Sequence, residues 1–203
     1  MKKLPRIIPR FSISALLWLC VLVAVLILWY QDHLELVKQL EIRNGVQGLS
    51  WSIDQVLGPP DTRRFGDYGT AWASRSMDSG DEIIVVEFPQ SVAATAVQIV
   101  ETYNPGAVVK VFSVSATGAE LLVWEGVDPL GSNVAGGTST IPFKEPVSTR
   151  RLKIVLASAE FAGWNEIDAV GLVDQHGSCH WASATWASSS YGANREIPMW
   201  FWP

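Results

Sequence analysis

The chain has 203 residues, with 20 acidic and 15 basic side chains, a formal net charge of −5 and 48% apolar residues. That length allows one ordinary domain plus an anchor, or two small modules. The apolar content excludes a disordered tail, and the acidic balance excludes the clustered Lys and Arg that a nucleic-acid surface needs to release phosphate counterions.

Charge is unevenly placed along the chain. Lys2, Lys3, Arg6 and Arg10 form an acid-free leader at 1–10, whereas residues 31–203 hold 11 basic against 20 acidic side chains, a formal −9. Positions 11–30, FSISALLWLCVLVAVLILWY, are twenty residues without a charge. As a helix rising 1.5 Å per residue, such a run is about 30 Å long, the thickness of a bilayer's hydrocarbon core. Trp29 and Tyr30 close it where an interfacial aromatic belt falls. The basic leader then keeps the N-terminus cytoplasmic and places the remainder outside.

A cleaved signal peptide would end in small residues, but this run ends Leu-Trp-Tyr-Gln-Asp. A lipoprotein signal fits poorly because Cys20 follows Leu17-Trp18-Leu19. A pilin-like leader fits poorly because Arg10 and Ala15 stand where Gly and Glu are needed. The expectation is a retained single-pass transmembrane helix. Positions 31–48 continue it as a helical stalk, with Leu34, Val37 and Leu40 spaced three apart and Asn44-Gly45 as a stop. Fewer than two heptads are present, so the stalk reads as an extension of the anchor rather than a coiled coil.

The body, 49–174, loses the helical period. β-rich runs follow one another, bounded by Gly, Pro, Asn or Asp: Glu82–Phe88, Ala96–Glu101, Ala107–Ser115, Glu120–Glu125, Ser139–Phe143, Arg151–Ala157 and Ile167–Val173. Short strands at this spacing without intervening helices predict an all-β fold, an antiparallel β-sandwich or jelly roll behind the one transmembrane helix. Alternation in VVKVFSVS and RLKIVLA turns Lys110, Ser113 and Lys153 away from part of the core.

The order of QVLGPPDTRRFGDYGTAWAS, the strand EIIVVEF, AVQIVETYNPGAVVKV and the closing GWNEIDAVGLV resembles the discoidin, or galactose-binding-like, β-sandwich superfamily from Trp51 to about Val173. The resemblance implies ligand recognition by loops at one end of a sandwich, although fold alone does not fix function. It also implies a calcium site with Asp61 and Glu166 as side-chain ligands and Asp67 nearby, because calcium needs several hard oxygens to converge. Pro59-Pro60 before Asp61 departs from the commoner Gly-Asp. The alternative is that Asp61 caps a turn and Glu166 pairs with Arg63, Arg64 or Arg75.

Sugar recognition pairs an aromatic face with amide or carboxylate partners, and Tyr103, Asn104, Trp164 and Asn165 offer that combination at two expected loops. Asn104-Pro105-Gly106 is equally a turn sequence, and Trp164 could plug the end of the core. His176, Cys179 and His180 crowd soft ligands together, which reads as a copper or zinc site or as a linker with incidental histidines. Cys20 and Cys179 cannot pair in an inserted chain, which leaves Cys179 a free thiol. No G-x-S-x-G, H-E-x-x-H or phosphate-binding glycine loop occurs, so no enzymatic activity is expected.

In the tail, 175–203, positions 185–203 align without gaps to 71–89 with seven identities, including Trp186 with Trp72 and Glu196 with Glu82. This reads either as a partial repeat or as chance similarity in a biased tail. The sequence as a whole predicts a membrane-anchored extracytoplasmic module that recognises a glycan. The alternative is an assembly subunit with a protein partner. Neither reading involves nucleic acid.

Overall fold

The alternating apolar run from Glu82 builds the longest strand of the fold. In the computed structural model, which describes residues 18, 20–31, 33 and 50–192, eight strands follow one another. They are β1 (Trp72–Ala73), β2 (Glu82–Tyr103), β3 (Val108–Val114), β4 (Glu120–Glu125), β5 (Gly137–Leu156), β6 (Glu166–Asp174), β7 (Cys179–Trp181) and β8 (Ala184–Ala187). Short 3-10 turns lie at Ile53–Val56 and Ser158–Glu160. All eight strands belong to one antiparallel sheet with the order β1-β6-β2-β5-β3-β4; β7 pairs with β6 and β8 with β2. The all-β, antiparallel expectation therefore holds.

Two pairs of expected strands are fused. Glu82–Phe88 and Ala96–Glu101 are the two halves of β2, and Ser139–Phe143 and Arg151–Ala157 fall within or at the end of β5. The breaks read from sequence are interruptions of pairing rather than loops. The β2–β5 register shifts between Glu87 and Val92 and again between Ala94 and Ala96. Pro89 falls in the first gap and Pro146 opposite the second, where the missing N–H costs no ladder bond.

These interruptions bend the strands. The Ser183 N–H donates to the Glu87 carbonyl at 2.8 Å, and the adjacent Ala182 N–H donates to the Val170 carbonyl at 3.0 Å. Val170 is registered with Ile99. Two consecutive residues therefore bridge positions that a straight strand at ~3.3 Å per residue would hold about 40 Å apart. The bend lets Ile84, Val86 and Phe88 of one half of β2 join Val97 and Ile99 of the other in a single core cluster. Ile53, Trp72, Val111, Ile141, Leu152, Ile154, Leu156, Ile167 and Leu172 are among its other members.

The segment 175–192 is a correction to the domain boundary expected at 174. β7 and β8 are strands of the same sheet, and Trp186 packs with Ile83, Val85 and Val114 on the face away from the main core. Val85 is fully buried for that reason. Trp72 Nε1 donates to the Ser189 carbonyl at 3.0 Å, and the Ser189 hydroxyl reaches the buried Glu82 at 2.6 Å. The stretches that resemble each other thus lie against one another within one body. The rest of the tail falls outside the described residues. Ser113 is also corrected: it is buried, and its hydroxyl donates to Thr149 Oγ1 at 2.9 Å, because a bulge between Val108 and Lys110 shifts the alternation. Lys153 stays at the surface side of the sheet, paired with Glu120 at 2.8 Å and lying over the Phe112 ring.

The chain divides into two units, residues 1–45 and 46–203. In the first, residues 18, 20–31 and 33 are helical, and apolar side chains from Val21 to Tyr30 are exposed around the helix. Trp29 stacks on His33 with ring centroids 5.2 Å apart. Among the described residues no helix is long and apolar enough to cross a membrane. The leader 1–10, most of the stalk 31–48 and part of the expected span 11–30 lie outside the described residues.

A buried carboxyl pair sits beside the core. The Glu101 carboxylate accepts from the Gly106 N–H at 3.0 Å and from the Ser139 hydroxyl at 2.9 Å, and Ser139 also meets Asp128. Burial first, and Asp128 second, push the Glu101 carboxyl up from 4.5 to about 8. A carboxyl that binds its proton more tightly folded than unfolded stabilises the fold fully below its unfolded value. That contribution is lost as the pH rises through its folded value. Thermal midpoints should therefore fall between pH 4.5 and about 8, and Glu101→Gln should flatten much of that slope. Trp72→Ala, which empties a fully buried site and removes the bond to Ser189, should cost about 3–5 kcal/mol in denaturant unfolding.

Candidate functional site

Three segments distant in sequence each contribute one aromatic residue to a single open cleft. Trp51, Trp164 and Tyr191 line it together with Asp67, Ala73 and Glu166, around roughly 380 Å³ of space open to solvent. Each ring is held by its backbone. The Trp51 N–H donates to the Gly69 carbonyl at 3.0 Å, and the Trp51 carbonyl accepts from the Ser190 hydroxyl at 2.9 Å and the Gly192 N–H at 3.2 Å. This clamp fixes Trp51 at φ 53, in the left-handed region that bulky residues seldom occupy. Gly192 is needed there: a Cβ would come within 2.2 Å of the Ser50 carbonyl oxygen.

Tyr191 lies between the two residues that hold Trp51, and its own N–H donates to the Ala73 carbonyl at 2.8 Å. Its ring meets Trp51 and Trp164 edge-on, at centroid distances of 5.6 Å and 5.9 Å, an arrangement aromatic quadrupoles favour. Trp164 sits in the loop entering β6. The Gly163 N–H donates to Asp78 Oδ1 at 2.9 Å, Asn104 Nδ2 to the Ala162 carbonyl at 3.2 Å, and Asn165 Nδ2 to the Asn104 carbonyl at 2.6 Å.

The floor is Glu166, the first residue of β6, flanked in register by Ala73 of β1 and Tyr103 of β2. Trp51 Nε1 lies 3.2 Å from both Asp67 Oδ1 and Glu166 Oε1, and the Tyr68 N–H donates to Glu166 Oε2 at 3.2 Å. Only 2% of Glu166 is exposed. Burial outweighs those donors and raises its carboxyl from 4.5 to about 7, with Asp67 adding to the rise. Two positions along, Asp168 is also raised by burial. It accepts from the Thr62 hydroxyl at 2.9 Å and lies near the Thr62 and Asp61 N–H groups.

The residues expected from sequence separate into different roles. Trp164 and Glu166 line the cleft. Asn104 and Asn165 tie two loops together; Asn104 takes φ 46 and Asn165 is buried, so both position Trp164. Tyr103 is exposed and is not among the lining residues. Asp61 meets Asp168 through its backbone, on a different set of partners from Glu166. Calcium takes six to eight oxygens, whereas the space before Glu166 is walled by three aromatic rings. A calcium ion held between Asp61 and Glu166 does not fit that lining. Among the described residues no group of three or more His, Cys, Asp or Glu could hold a metal ion.

Trp51 and Tyr191 carried no local signal as a pair, because 140 residues separate them. Only the Gly192 and Ser190 that follow and precede Tyr191 hint that the backbone there comes close to another segment.

A scan against protein-family models, a search of curated proteins and a search of solved structures each find no match.

The His176–His180 cluster forms a hairpin between β6 and β7. Asp174 Oδ1 accepts from the His176 and Ser178 N–H groups at 2.8 and 3.0 Å, and Asp174 Oδ2 lies 2.9 Å from His180 Nε2. The His180 hydrogen bond leads in lowering the Asp174 carboxyl to about 2. Burial pushes the Cys179 thiol up to about 11. At pH 8 that leaves about a hundredfold less thiolate than an ordinary thiol. In a Cys20→Ser background, Cys179 should be alkylated correspondingly slowly in native protein and at the ordinary rate once unfolded.

Proposed function

We propose that the chain is a membrane-anchored extracytoplasmic binding module, a discoidin-like β-sandwich that recognises a glycan in the cleft of Trp51, Trp164 and Tyr191. The observation that carries the reading is the convergence of three aromatic faces and two carboxylates on one open, solvent-facing cleft. Pyranose rings present apolar C–H faces to aromatic side chains and hydroxyl groups to carboxylates, and binding sites commonly combine both. The strained, doubly held Trp51 supports a preformed wall, since a ring already fixed loses little freedom on binding.

The bent β2 and β5, folding one apolar face over itself, support the sandwich reading. The charge-free run at 11–30 and the exposed apolar helix within it support the anchor, because a helix apolar on all sides is matched by lipid rather than by water. A basic leader supports a cytoplasmic N-terminus.

The test is glycan-array binding by the full-length chain in detergent micelles, beside Trp164→Ala. Binding by the native chain should fall about tenfold or more in the variant, as the loss of a stacking ring at the centre of a site requires. A native chain that binds no glycan, but is recovered in a stoichiometric complex with another envelope protein, would be an assembly subunit instead.

A further inference from the structure

The cleft has a charge asymmetry that a neutral sugar would leave unused. Asp67 and Glu166 are its ionisable carboxylates, and among the described residues no Lys, Arg or His lines it. They share one donor, Trp51 Nε1. A carboxylate has about four lone-pair sites; Glu166 also accepts from the Tyr68 N–H and lies 3.5 Å from the Thr102 hydroxyl, so the spare accepting capacity at the cleft lies mainly on exposed Asp67. The ring faces add to the same field, because the negative face of an aromatic quadrupole attracts a cation.

The fitting ligand therefore carries a positively charged nitrogen with N–H groups for the carboxylates and C–H surface for the rings. A metal ion lacks the apolar surface and would need more oxygens than the cleft offers. A tetraalkylammonium has charge and apolar surface but no N–H to donate to the carboxylates. A neutral or N-acetylated sugar meets the rings but brings no positive charge to Asp67 and Glu166.

We infer that the glycan recognised here is an amino sugar with a free amine, its ammonium group seated between Asp67 and Glu166 and its ring against Trp51, Trp164 and Tyr191. This rests on the glycan reading above and narrows it. The ammonium donates to Asp67 and to the remaining lone pairs of Glu166, holding both ionised. Desolvated, charge-assisted bonds of this kind are the strong ones, so charge selects among sugars that stack equally well.

Calorimetric titration of the full-length chain in micelles tests this with four probes: a glucosamine oligomer, its fully N-acetylated counterpart, a neutral hexose oligomer and tetramethylammonium. The glucosamine oligomer is expected to bind at least about tenfold more tightly than the acetylated or neutral oligomers. Glu166→Gln, which keeps the shape and the acceptor for Trp51, should remove most of that preference, and Asp67→Asn part of it. Unchanged thermal midpoints in these variants would show that the fold persists. Equal binding of all three oligomers, unaffected by Glu166→Gln, overturns the amino-sugar assignment and leaves glycan recognition standing. Binding of tetramethylammonium with no oligomer, or no binding of any probe, overturns both.

Discussion

The pairing of β2 with β5 is the constraint on which the rest of this structure depends. Each strand is long enough to meet different neighbours at its two ends. β8 and β3 flank the first half of β2 and the second half of β5, whereas β6 flanks the second half of β2. Two register shifts turn a ladder that would otherwise run straight, so both halves bury side chains in one cluster. A bulge increases local twist and bends the strand that carries it. Here it also decides which chain ends meet: the segment after β6 can reach Glu87 only because β2 has turned back.

The cleft is a consequence of that meeting. Trp51 precedes the first 3-10 turn, Trp164 enters β6, and Tyr191 follows β8. They converge because the 73 and 166 positions are neighbours in the sheet and Tyr191 is hydrogen-bonded to the first of them. Removing the Gly192 close approach or the Gly69 acceptor would let Trp51 relax from its left-handed conformation. The aromatic wall is thus held by backbone contacts across the whole body rather than by local propensity.

Buried carboxyls recur at the same end of the sheet. Glu101 and Glu166 are both raised by burial, and Glu82 is buried against Ser189. Each is met by N–H or hydroxyl donors, so none is buried bare. Glu101 turns inward among Ser139, Gly106 and Asp128, a closed arrangement that belongs to folding. Glu166 has the open cleft in front of it, which is why similar burial leaves one residue closed within the fold and the other at the wall of a solvent-facing space.

The sequence by itself determined what depends on neighbours along the chain. The apolar alternation specified β2, β3, β4, β5 and β6 nearly in place, Trp164 and Glu166 stood out at a strand entry, and Asn104-Pro105-Gly106 announced a turn. It could not show that Pro89 and Pro146 interrupt pairing without ending a strand, since a proline reads the same at a bulge as at a loop. Nor could it distinguish a tail from an edge: Ala184–Ala187 becomes a strand because β2 offers an unpaired side, and Trp186 is buried because Val85 faces it. The aromatic cleft lay beyond local reading for the same reason. Trp51, Asp67 and Tyr191 acquire a common role only through hydrogen bonds spanning most of the body, and a sequence pattern records periodicity and turn chemistry but not which distant backbones come to share a hydrogen bond.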